Sequence, residues 1–330
     1  MKKVVYMLLL ACILVISGCT GSSQQKAATP APIKTPVISE VTVLNPIGPL
    51  VFPVAGLAGS KVDTGDLKIK LQYWKTGDEA IGLLSAGKAD FAVLPVVTAS
   101  NINASGIKLT LLGVHEWKVF YLIAAPGNTF TSWQDLKGKQ VYIPVGKGST
   151  IDLLLNAGLE NSGLKPNVDT RIVAAEPQEI VALFKSGKVQ YAALPEPFVT
   201  LATQGGKGQI VLDFQKYWAE LAGGPERMPI AGLFVKSDFM QKHPAETARV
   251  ATAFKDSIGW SQQNVDDALT ISAKTLPIPA PVMKTALTRL EITWIGSKSC
   301  QAEVKTFLTQ MQKLYPEGLK KLPGEEFYAK

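Results

Sequence analysis

Residues 86–95, AGKADFAVLP, return one hundred positions later as 186–195, SGKVQYAALP. Glu79 and Leu83 ahead of the first copy match Glu179 and Leu183 ahead of the second, so a helix, a corner and a strand repeat together. In each copy a helical period stops at Gly87 or Gly187, the position where a left-handed residue closes a helix. A lysine then turns the chain, and an apolar, β-rich run ends on a proline. One αβ unit used twice implies two similar lobes.

Working outward, VTVLN (41–45), KIKLQYW (68–74) and DFAVLP (90–95) read as strands separated by helical stretches. The rhythm resumes with QVYIPV (140–145), DTRIVAA (169–175) and QYAALP (190–195). Strands alternating with helical segments predict right-handed βαβ units and mainly parallel sheets. In such sheets ligands bind beyond the carboxyl ends of the strands. Two facing lobes therefore make a cleft that can close by a hinge. Residues 238–315 read as helices, with Val250, Phe254 and Ile258 at helical spacing and Trp260 and Trp294 as packing residues.

The 330 residues are 46% hydrophobic and 18% charged, with 28 Gly and 21 Pro, which excludes a disordered chain, a collagen and a long coiled coil. The formal charge of +7 falls to +5 once Lys2 and Lys3 are set aside, with no dense basic block, so nucleic acid is not an expected partner. Three cysteines and two histidines argue against a disulfide framework and a zinc cluster, and no cofactor is expected.

The front end reads as an address. Lys2-Lys3 precede an apolar run from Val4 to Ile16, too short to span a bilayer, and ISGC (16–19) follows. ISGC resembles a bacterial lipobox, which implies that residues 1–18 are a signal peptide and that Cys19 carries lipid. Residues 19–37, rich in Ser, Thr, Ala, Pro and Gln, read as a flexible tether stiffened by Pro30, Pro32 and Pro36. The expectation is a protein anchored by lipid on the extracytoplasmic face of the cell membrane.

The order of DLKGKQVYIPVGKGST (135–150), AGLENSGLKP (157–166), ALPEPFVTLA (193–202) and HPAETARVATAFKDSIGW (243–260) resembles solute-binding proteins of ABC importers. The nearest group is the nitrate, sulfonate, taurine and thiamine-precursor-like binding proteins. The resemblance spans about residues 38–315. It implies an α/β, two-lobe type II periplasmic-binding-protein fold, each lobe a mainly parallel sheet flanked by helices. Lobe one would comprise 38–124 plus 230–330 and lobe two 125–229, with crossing segments at 119–124 and 231–237. It further implies a small-molecule solute, an ABC permease as partner and a monomer. The opening NPIGPLVFPVAG (45–56) departs from the better-characterised members.

Site candidates follow from the loops beyond the strands. GKGST (146–150) starts a helix whose free N–H groups would attract an acid, with Gly146, Gly148, Ser149 and Thr150 as contacts. The competing reading is a capping box of Ser149 with Asp152 that serves only the helix. Asn45, Gly48 and Pro49 form the counterpart in lobe one, joined by Thr76 and Gly77 after the second strand. Leu94, Pro95 and Pro195 end the repeated strands, and Glu196, between two prolines, could take a donor or cation on the ligand, the competing reading being a solvent-exposed turn acid. Trp74, Trp117, Tyr121 and Trp218 are the aromatics nearest strand ends or crossings. An acid, an amine and a ring all remain open as ligand chemistry. His115, His243 and Cys300 make a thin basis for catalysis, so binding leads over an enzyme on the same fold, with a sensory lipoprotein as a further alternative.

Overall fold

The structure, a computed structural model, describes residues 38–144, 146–319 and 321–330. The expected signal peptide (1–18), the expected tether (19–37) and Cys19 lie outside the described residues.

Eleven strands and twelve α-helices follow in chain order among the described residues. The chain enters with β1 (Glu40–Pro46), α1 (Ala55–Ala58), β2 (Lys68–Trp74), α2 (Gly77–Ser85), β3 (Phe91–Pro95), α3 (Val96–Ala104) and β4 (Leu109–Lys118). Next come β5 (Phe120–Ala124), β6 (Gln140–Ile143), α4 (Thr150–Asn161), β7 (Arg171–Ala174), α5 (Pro177–Lys185), β8 (Tyr191–Pro195), α6 (Phe198–Thr203), β9 (Gln209–Asp213) and α7 (Phe214–Ala222). The chain ends with β10 (Ala231–Lys236), α8 (Ser237–Lys242), α9 (Pro244–Gln263), α10 (Val265–Ser272), α11 (Ala280–Leu287), β11 (Glu291–Gly296) and α12 (Ser297–Leu314).

The strands form two sheets, ordered β11-β4-β10-β3-β1-β2 and β7-β6-β8-β5-β9. In the first, β1 is parallel to β2 and β3, and β10 runs antiparallel between β3 and β4. In the second, β6 is parallel to β7 and β8, and β5 runs antiparallel between β8 and β9. Dropping β11 leaves two five-stranded sheets of one topology, with β1, β2, β3, β10 and β4 answering to β6, β7, β8, β5 and β9.

The sequence repeat is this topology seen locally. Gly87 and Gly187 take φ of 63° and 75°, a left-handed conformation that glycine adopts without a Cβ clash. Lys88 N–H then donates to Leu83 O at 2.9 Å, and Lys188 N–H to Leu183 O at 3.0 Å, the Schellman closure in both copies. The strands that follow are buried along Phe91–Leu94 and Tyr191–Leu194.

Two expectations need correction. Residues 119–124 are not a crossing throughout: Phe120–Ala124 pairs with β8 and β9 inside the second sheet, which confines the first crossing to Val119. Likewise 231–236 is a full strand of the first sheet, and the second crossing precedes it. The run 238–315 is not all helix, because Glu291–Gly296 (EITWIG) is β11, an antiparallel edge strand on β4. Its isoleucines and tryptophan suit a pleated edge, and Trp294 packs on Phe254 from that strand.

Candidate functional site

Both sheets turn the carboxyl ends of their parallel strands toward the crossing. β4 runs in the direction of β1 and β3 and leads through Val119 into β5. Val119 O accepts the N–H of Glu196, which sits just past β8, so the strand ends of the two sheets meet there. The buried Gln215, at the start of α7, holds the same point: its Oε1 accepts Val119 N–H at 3.1 Å and Phe120 N–H at 3.0 Å, while its Nε2 donates to Phe120 O at 3.0 Å.

A cleft of about 1000 Å³ opens between the two halves. Gly77 and Asp78 of α2 and Thr98 and Asn101 of α3 line it from the first half, and Gly146–Ser149 from the second. Tyr315, Glu317 and Gly318, after α12, close one side, where Lys147 Nζ reaches Glu317 Oε2 at 3.0 Å and Asn101 Nδ2 donates to Gly318 O at 2.9 Å.

The helix starts at this cleft are satisfied from within. Ser149 Oγ accepts Asp152 N–H at 3.4 Å, and Asp152 Oδ2 accepts Gly148 N–H at 2.7 Å. At α2, Thr76 Oγ1 accepts Glu79 N–H at 3.3 Å, and Glu79 Oε2 accepts Lys75 N–H at 2.9 Å. Each is a capping arrangement whose carboxylate faces the positive helix end. Burial pushes the Asp152 carboxyl above its usual range despite the bonds from Gly148 and Asn156.

The expected contacts divide accordingly. Gly77, Gly146, Gly148 and Ser149 line the cleft. Thr76 is exposed beside them, and Thr150 is buried with Oγ1 lacking a partner. Asn45 is fully buried at the end of β1, its Nδ2 donating to Pro46 O and Leu50 O and thus holding the loop that contains Gly48 and Pro49; its Oδ1 has no partner. Trp74 is buried with Nε1 unpartnered. Leu94 is buried, and Pro95 and Pro195 are half-buried at the ends of β3 and β8.

Three candidates are engaged inside the protein. Trp117 donates Nε1–H to Thr293 O at 2.8 Å and lies under the guanidinium of Arg227. Trp218 packs edge-on against Phe307 of α12. Glu196, fully buried, already holds a cation: Arg289 Nη1 lies 2.7 Å from Oε1, and Thr200 donates its N–H and its hydroxyl at 3.0 Å each. Tyr121 joins the same cluster by donating its hydroxyl to Arg289 O at 2.7 Å.

Sequence reasoning missed Gln215, Arg289 and Glu116. Glu116 lies near the end of β4, paired with Ala231, which in turn pairs with Pro95. It is 3% exposed, Oε1 has no partner, and burial pushes its carboxyl up to about 8. The signal was available, since GVHEWK places two adjacent ionisable groups, His115 and Glu116, between Val114 and Trp117. His115 stacks edge-on with Phe254, neither ring nitrogen has a partner among the described residues, and burial holds its pKa down at about 3. Among the described residues no cluster of His, Cys, Asp and Glu is arranged to hold a metal ion.

Known proteins share this architecture. An ABC transporter structure from Parabacteroides distasonis superposes with a TM-score of 0.73 at 21% identity, over 88% of this chain and 99% of that one. The periplasmic aliphatic sulphonate binding protein of Escherichia coli gives 0.68 at 19% identity, over 89% and 94%. These likenesses show the type II periplasmic-binding fold. In sequence, a Bacillus subtilis protein named for binding aliphatic sulfonates is 23% identical, over 86% of this chain and 81% of its own length. The model of the NMT1-like family matches residues 71–276, more than half of the chain, and the protein belongs to that family.

Proposed function

We propose that this protein is the extracytoplasmic solute-binding component of an ABC importer, which holds a small molecule between two lobes and presents it to a membrane permease. The observation that carries the reading is the pair of like sheets whose strand ends meet at Val119, together with a cleft lined from both halves. The names of the relatives agree with it. Lobe one is residues 38–118 with the return from about 230, and lobe two is the segment between. The solute favours the closed arrangement by its higher affinity for that state. The protein works as a monomer, tethered by lipid at Cys19.

Retention without turnover fits the chemistry of the groups a reaction would use. His115 is buried against Phe254, and burial pushes the Cys300 thiol up to about 11, away from a reactive thiolate. His243 sits at the amino end of α9. Incubation with a bound solute followed by mass analysis tests this: recovery of the solute unchanged, one per chain, supports a receptor, and a chemically altered product contradicts it.

A further inference from the structure

The chain that leaves α12 touches both halves of the protein. Behind it, α12 follows β11 without a break and buries Phe307 and Met311. Ahead of it, Tyr328 bridges Leu111 of β4, and Ala329 N–H donates to Leu111 O at 3.0 Å. Tyr315–Gly318 is therefore a strap fixed to the first half at both ends. Asn101 of α3, in the same half, holds it between those ends by donating Nδ2 to Gly318 O at 2.9 Å.

Across the cleft the strap meets the second half. Glu317 Oε2 takes Lys147 Nζ at 3.0 Å, and the same ammonium lies 5.4 Å from the centre of the Tyr315 ring. A Cβ on Gly318 would run into that ring and come 3.1 Å from Leu153 Cδ2 of α4, so glycine lets the strap sit this close.

These contacts are of a reversible kind. The Lys147 and Glu317 side chains are 72% and 75% exposed, and an ion pair so exposed is weak and screened by salt. They also lie far from the crossing. Arg227, stacked on Trp117 just before Val119, pairs with Glu303 of α12 at 3.0 Å. From Glu303 to Leu314 the helix then runs about 17 Å toward the strap. Rotation of the halves about the crossing displaces such distant contacts most, so they part first.

Resting on the solute-binding reading above, we propose that Tyr315–Gly318 is a latch across the mouth of the cleft. Docked, it holds the two halves together; it releases the second half when the cleft opens to a solute.

The test uses the full chain without added solute. Hydrogen exchange with mass spectrometry reads the amides of Gly146–Ser149, and small-angle scattering reads the radius of gyration. Glu317→Lys, which sets two ammonium groups face to face, is expected to raise exchange at 146–149 about threefold and to enlarge the radius. The swap Lys147→Glu/Glu317→Lys restores the pair and is expected to return both readings to those of the unsubstituted protein, which a mere loosening of the strap would not do. Faster exchange confined to 315–318 at an unchanged radius overturns the latch and leaves the solute-binding reading standing. A swap that fails to restore the radius does the same. A solute recovered chemically altered in the mass analysis above overturns the receptor reading and leaves the latch standing.

Discussion

Arg289 Nη1 lies 2.7 Å from Glu196 Oε1, joining the segment before β11 of the first sheet to the end of β8 in the second. The carboxylate is fully buried while the arginine side chain keeps about a third of its surface in water, 35%. Removing the arginine therefore leaves a buried charge with only the two Thr200 bonds. Arg289→Met should destabilise by about 3 kcal/mol, the scale for stripping one partner from a buried pair. The double variant Glu196→Gln/Arg289→Met should recover part of that loss. Urea melts of the four proteins measure the coupling, and strictly additive losses would show the two groups to be independent.

Gln215 clamps the crossing through two accepted N–H bonds, from Val119 and Phe120, and one donated to Phe120 O. Gln215→Ala orphans these groups at a buried position, at a cost of about 1–3 kcal/mol for each one left without water. The expected result is a lower Tm together with faster amide exchange at Val119 and Phe120. Unchanged exchange at those two amides would mean that the crossing is held by other contacts.

His115 and Glu116 give the folded state opposite pH responses. Burial holds His115 neutral to about pH 3, so the unfolded chain takes up a proton below its ordinary value of 6.5 and stability falls between pH 6.5 and 3. Burial keeps Glu116 protonated to about pH 8, whereas the unfolded chain ionises above 4.5, so stability falls as pH rises from 4.5 to 8. Each group contributes a slope of up to about 1.4 kcal/mol per pH unit. Glu116→Gln should flatten the decline toward pH 8 and leave the acid limb unchanged, and His115→Phe should do the reverse, as read from urea midpoints across the range.

Two helix glycines should respond in opposite ways to alanine. A Cβ on Gly158 in α4 would run into the ring of Trp133, which also packs on Tyr217 and Phe214, so Gly158→Ala forces an aromatic cluster apart and should cost more than about 2 kcal/mol. Gly82 in α2 has open space around its Cβ direction, and Gly82→Ala should stabilise by up to about 1 kcal/mol. Thermal melts of the two variants check both signs.

The duplicated corner was legible because helix closure is local chemistry: Gly87 and Gly187, with the lysine after each, write the Schellman bonds into four or five residues. The capping of α4 by Ser149 and Asp152 was legible for the same reason. β11 was hidden because EITWIG lies between two helices, and only pairing with a strand more than 170 residues earlier makes it a strand. Glu196 was read as a rigidly placed carboxylate free to take a donor or cation on the ligand, but it is buried on Arg289, 93 residues away, a distance over which no spacing rule operates. The position of the crossing was off by a strand because VFYLIA is equally apolar as a link and as part of a sheet. Glu116 could have been found by asking why it stands beside His115 in the middle of a strand.

A crystal structure of the protein with its solute bound tests the account most directly. Density for one small molecule is expected between the two sheets, touched by residues from both halves. Density confined to one half, or a solute bound away from the strand ends that meet at Val119, would contradict it.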